Sequence, residues 1–255
     1  DVRLQGCSSE GGHDGVHFDL CARVRILGSS FATGDDAVAG SGCTDIVVSN
    51  CVLNSACSPV RFGGRDVLIT DCRVEGPAKY PHRWTLTDEE KRRGAGADEV
   101  KGRRTTGCFF QPFSDKRVRP EMKPGNMVFR NLTIANPERF MVYLTGLGAI
   151  WQDGQGFDEI RFENVHVTGI GAPSAVVAPA AIPLRLVFRN CSFAFRTPQP
   201  YAFFGKDVTV VTENVEVENV TGPFYDAREA VSFADVPEFP SWRIETPETR
   251  RQWGL

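Results

Sequence analysis

An eight-residue unit with a fixed turn residue recurs along the chain and constrains the fold more than any other feature. It reads VRLQGCSS from Val2, VRILGSSF from Val24, IVVSNCVL from Ile46 and VLITDCRV from Val67. It continues as MVFRNLTI from Met127, IRFENVHV from Ile160, LVFRNCSF from Leu186 and VVTENVEV from Val210. Successive starts are separated by 22, 22, 21, 60, 33, 26 and 24 residues. The fifth position holds Gly6, Gly28, Asn50, Asp71, Asn131, Asn164, Asn190 and Asn214. Those residue types tolerate left-handed backbone, so the chain turns a corner there. The first and third positions are apolar almost throughout, the two-residue period of a strand with one buried face.

A unit of this size cannot bury its apolar face alone, so successive units must stack and share one core. The pattern predicts an all-β fold, a right-handed parallel β-helix over residues 1–234, its hand set by the rule for crossovers between parallel strands. An antiparallel sandwich fits less well, because the corner residue keeps its register and no two-residue hairpin turns are present. The tail from residue 235 to 255 lacks the unit and carries Trp242 and Trp253. It is expected to cover the open end of the stack. The first unit has no comparable cover, which predicts further coils before it or a partner chain against it.

Cysteine usage follows the same register. Cys7, Cys51, Cys72 and Cys191 occupy the sixth position, beside the corner. Cys21 and Cys43 are one repeat apart, so they are expected in neighbouring coils, either as a disulfide or as part of a column of buried thiols. A net charge of −3 leaves no basic footprint for nucleic acid, and no apolar run is long enough for a membrane span.

One insertion interrupts the rhythm, at about 77–124. Within it, Thr87-Asp88-Glu89-Glu90 followed by Lys91-Arg92-Arg93 and Gly94 has the capping, charge order and terminal glycine of a short helix. The remainder, Lys101 to Pro124, is basic and rich in Gly, Pro and Arg, and reads as a long loop. Its run Lys101, Arg103, Arg104 is either a solvated surface or a face toward an acidic sugar. The insertion itself either folds back over the cleft or covers the outer face.

Counting from the start of each unit places side chains in columns. Asp14 and the pair Asp35-Asp36 fall at one corner of two neighbouring coils, flanked by His13, His17 and Arg61, with His82 next in the column of His17 and Arg61. His82, Arg83 and Trp84 stand at the base of the insertion and offer a cation and an aromatic platform for a sugar ring. Crowded carboxylates suit glycoside hydrolysis, in which one acid protonates the leaving oxygen and another group activates water. The same acids are also the ligand type for calcium. The four histidines show no metal-binding spacing, and neither a metal nor a cofactor is implied.

At these residues the chain resembles the family 28 glycoside hydrolases, the polygalacturonases and their relatives. The likeness rests on Asp14-Gly15, on Thr33-Gly34-Asp35-Asp36 and on the coil between them, and is strongest over residues 1–76. It implies a right-handed parallel β-helix and hydrolysis with inversion. It also implies that Asp36 is the general acid, and that Asp14 and Asp35 position or activate water. Where that family has Asn-Thr before the first aspartate, Gly12-His13 stand here. Its Gly-His-Gly motif is replaced by Ala56-Cys57-Ser58, and its Arg-Ile-Lys motif is missing, with Arg61 a candidate for part of that anion-binding role. These departures point to a glycan other than polygalacturonic acid. Two further functions fit the same fold, a polysaccharide lyase and a non-catalytic carbohydrate-binding protein.

Overall fold

The computed structural model describes residues 1–82, 88–93, 106–115, 123–237 and 244–253. They are mostly strand, joined in one sheet of 18 strands. Strands pair in parallel with those one repeat away, as in Val24↔Ile46 and Ile46↔Val67. The one antiparallel contact among the described residues is the isolated bridge Ala149↔Ile244. No helix there is long and apolar enough to cross a membrane.

Each repeat contributes to three parallel rows. The first row runs through the start of every unit, from Val2↔Val24 to Leu186↔Val210. The second follows the corner, for example Ser30↔Val52 and Leu132↔Val165. The third runs Val16↔Val38↔Val60↔Phe110 and on to the strands Pro137–Leu144, Ser174–Val177 and Phe203–Lys206.

Corner residues behave as their side chains require. Asn50, Asp71, Asn131, Asn164, Asn190 and Asn214 all have φ between 52° and 56°, and Gly6 and Gly28 are left-handed too. Their amides bond along the stack, Asn131 to Asp71 at 2.9 Å, Asn164 to Asn131 at 3.1 Å and Asn214 to Asn190 at 2.9 Å. Apolar residues at the third position of three units become a column of rings. Phe129 stacks on Phe162 at 4.9 Å and Phe162 on Phe188 at 5.1 Å, all fully buried. None of the eight cysteines is in a disulfide, so Cys21 and Cys43 are thiols one repeat apart.

The insertion differs from its reading as helix and loop alone. The helix is present, Asp88–Arg93. The supposed loop, however, contains the strand Thr106–Pro112, which joins the third row between Val60–Thr70 and Pro137–Leu144. Its Gln111, not His82, is the neighbour of Arg61 in that row. Described parts of the tail lie along the flank of the third row. Val236, with Val231 just before the tail, packs with Val142, Leu144, Ala175, Val177 and Phe204, and Ile244 reaches Ala149.

Candidate active site

The acids sit on the connections between the second and third rows. Asp14 lies between Ser8–Gly11 and Val16–Asp19, and Asp35-Asp36 occupy the same connection one repeat later, between Ser30–Thr33 and Val38–Ser49. Backbone bonds lock the two connections together, Gly34 N–H to Gly11 O at 2.8 Å and Gly15 N–H to Asp36 O at 2.9 Å. The hydroxyls of Thr33 (2.9 Å) and Ser55 both donate to the carbonyl of Asp35, which fixes the peptide that carries it. As a result Asp14, Asp35 and Asp36 each bring a carboxylate oxygen within 4.8 Å of the others.

The three acids have different surroundings. Asp36 is fully buried and takes a hydrogen bond from Arg61 Nη1 at 2.9 Å on Oδ2. Two rings that meet edge to face flank the guanidinium, with centroids 4.3 Å (Phe113) and 4.6 Å (Trp151) from it. Asp14 receives Asp36 N–H on Oδ1 at 3.2 Å and His17 Nδ1 on Oδ2 at 2.9 Å. Its side chain keeps 13% exposure, the most open of the three. Asp35 is buried against His82, whose Nε2 stands 3.3 Å from Oδ1.

His17 is clasped by two carboxylates, with Asp14 on Nδ1 and Asp19 Oδ2 3.3 Å from Nε2. The hydrogen bond to Asp14, then that to Asp19, raises the imidazole to about 9 against the desolvation that opposes it. Ser41 N–H holds the other oxygen of Asp19 at 3.1 Å. His13 is exposed, and its Nδ1 accepts the N–H of Asp14 at 2.8 Å.

His82 arrives from outside the repeat. Residues 77–82 run back across three units. Asn54 takes Lys79 N–H at 2.7 Å and gives its own amide to Pro77 O at 3.0 Å, while Lys79 and Tyr80 both reach Glu10, at 2.6 and 2.9 Å. Gly34 makes the crossing possible, since a Cβ there would stand 2.3 Å from Pro81 O. His82 thereby meets Asp35 and Cys57, the three ligand atoms lying within 4.8 Å of one another.

Searches of family models, curated proteins and solved structures find no match to this chain.

The structure therefore gathers Asp14, Asp35, Asp36, His17, Arg61 and His82 in one place, with His13 at its rim. Arg83 and Trp84, expected to bind sugar, and the basic run Lys101, Arg103 and Arg104 lie outside the described residues. Four further residues belong to the site. Asp19 was legible, because it stands two residues from His17 on one strand and so shares its face. Phe113, Trp151 and the closeness of Cys57 to His82 depend on contacts across unrelated stretches, and nothing in the repeat marks them.

Proposed function

We propose that the chain is a glycoside hydrolase built on a right-handed parallel β-helix, acting by acid–base catalysis through Asp35, Asp14 and Asp36. The observation that carries this reading is the meeting of the three carboxylates within 4.8 Å, contributed by adjacent repeats. The three parallel rows and left-handed corners support the β-helix.

The hydrogen bonds favour roles different from those implied by the resemblance. A general acid must have a proton to give and must reach the leaving oxygen. Asp36 has no exposed side-chain surface and is engaged by Arg61 in an ion pair, which only its carboxylate can make. Asp14 uses both oxygens as acceptors. We give the donor role to Asp35, whose carboxylate stands within 4.8 Å of both other acids and beside His82 Nε2 at 3.3 Å. Asp14, the most open of the three, then holds the water, and Asp36 places it through the bond of its N–H to Asp14 Oδ1. Arg61 fixes Asp36 from behind, and His17 fixes Asp14.

Eliminative cleavage needs a strong base free to take a proton beside a uronic acid. Arg61 is committed to Asp36 and packed against the Phe113 and Trp151 rings, which favours hydrolysis. A calcium ion on the three acids is disfavoured for the same reason, since the guanidinium already supplies the counter-charge.

Reducing-end release from a panel of neutral and acidic glycans tests the activity, with ultraviolet absorbance of unsaturated products as the lyase control. Reducing ends without unsaturation are expected; unsaturated products, or no turnover of any glycan, would overturn the proposal. The acids are closer than the about 6.5–9.5 Å usual for an inverting pair. The anomeric form of the first product, read by NMR, separates the inversion that the resemblance implies from the retention that so short a separation favours, in which one carboxylate is a covalent nucleophile.

A further inference from the structure

We propose that Asp35, Cys57 and His82 form a site for a thiophilic divalent cation, zinc in the first instance, and that metal bound there blocks the acid–base chemistry of Asp35. The second clause rests on the hydrolase reading; the first does not.

The ligand set is one sulfur, one imidazole nitrogen and one carboxylate oxygen, all from buried residues and within 4.8 Å of one another. Zinc binds these atoms at about 2.3, 2.0–2.1 and 2.0–2.2 Å, which puts two ligands of a tetrahedral site roughly 3.3–3.8 Å apart. The separation of 3.3 Å between His82 Nε2 and Asp35 Oδ1 already meets that edge. The edges to Cys57 Sγ need to close by at most about 1.3 Å, within reach of side-chain rotations.

Each ligand is anchored on its own piece of backbone. Asp35 hangs from a peptide whose carbonyl takes the Thr33 and Ser55 hydroxyls. The N–H of Cys57 donates to that same Ser55 Oγ, at 3.0 Å. His82 is held by the close approach of Pro81 to Gly34 and by the ties of Lys79 and Tyr80 to Glu10. Such preorganisation lowers the ordering entropy that a metal site otherwise loses on binding. Sulfur with imidazole selects zinc over magnesium or calcium, which take oxygen ligands. Three protein ligands leave a fourth position for water.

Binding would release the thiol proton of Cys57 to solvent, because the thiolate is the ligand. It would also place the metal on the Asp35 oxygen, displacing any proton there. Asp35 then has none to pass to a leaving group. The metal would also tie residues 77–82 to the repeat beneath them.

The test titrates the metal-free full chain with cobalt(II) chloride and follows its spectrum. One equivalent should give intense tetrahedral bands in the visible and a thiolate-to-cobalt band in the near ultraviolet, both removed by one equivalent of zinc. Cys57→Ser should lose the ultraviolet band, and His82→Gln should weaken binding by about 100-fold or more, the upper range for loss of a supporting ligand contact. Cys191→Ser, in a distant repeat, should leave the spectrum unchanged. Absence of saturable binding, or an ultraviolet band that survives in Cys57→Ser, would overturn the site. If Cys57→Ser does not fold by circular dichroism, His82→Gln decides alone, and unchanged affinity there refutes the proposal. A cobalt spectrum without turnover of any glycan leaves the metal site standing and removes only the hydrolase. Undiminished turnover with zinc bound removes the inhibition.

Discussion

Replacing Arg61 by Met tests whether the site is built around a buried ion pair. Side-chain exposure is 10% for Arg61 and nil for Asp36, so neither partner gains much from water. Removing one member of such a pair leaves a buried charge and is destabilising by about 3–5 kcal/mol. Loss of the cation's contact with the Phe113 and Trp151 rings adds about 0.5–2 kcal/mol, while Met keeps most of the packing of the arginine stem. The expected total of about 3.5–7 kcal/mol is a large part of the roughly 5–15 kcal/mol by which folded domains are stable. Adding Asp36→Asn removes the stranded charge and should recover most of the loss, giving a coupling energy of about 2 kcal/mol or more. Urea unfolding followed by circular dichroism, and by tryptophan fluorescence near Trp151, measures both. A loss below about 1 kcal/mol in Arg61→Met, the range of solvent-exposed pairs, would refute the reasoning, as would a double variant no more stable than the single.

His17 supplies a pH signature: its folded value of about 9 lies above the ordinary 6.5, so its contribution to stability is complete below pH 6.5 and is lost as pH rises to 9. Thermal unfolding temperature should fall across that window in the wild type and fall less in His17→Gln; an NMR titration of His17 centred near 6.5 would contradict it. Phe162→Ala opens the middle of the ring column between Phe129 and Phe188 and should destabilise by about 3–5 kcal/mol in urea unfolding, where a change under 1 kcal/mol would mean that the column is not packed as described.

The parts of this molecule that were legible in sequence are those governed by local chemistry repeated at a fixed interval. A residue that tolerates positive φ at the fifth position marks a corner whichever neighbour it stacks on, so Asn131 and Asn164 could be placed before their ladder was seen. The 22-residue interval between Asp14 and Asp36 likewise put the acids together, because one full repeat returns the chain to the same place. The strand Thr106–Pro112 was not legible. It has neither the corner residue nor an alternating face, because six of its seven residues are buried. Missing it passed its column to His82, whereas Gln111 neighbours Arg61. His82 still reaches the acids, but along a connection that crosses the repeats. The proposed choice of acid also draws on more than the sequence. It depends on which carboxylate Arg61 engages, and Arg61 lies 25 residues from Asp36, outside any simple repeat count.

The most direct test of the account is the dependence of each acid variant on the leaving group of aryl glycosides of the sugar that the wild type cleaves. A glycoside with a dinitrophenyl leaving group departs without protonation, so it bypasses the general acid and not the group that activates water. Asp35→Asn should therefore lose about 10²–10⁴-fold in kcat on the natural linkage and approach wild-type turnover on the dinitrophenyl glycoside. Asp14→Asn should be slow on both. Rescue of Asp36→Asn in place of Asp35→Asn, or equal losses on every leaving group, would contradict the assignment of Asp35 as the proton donor.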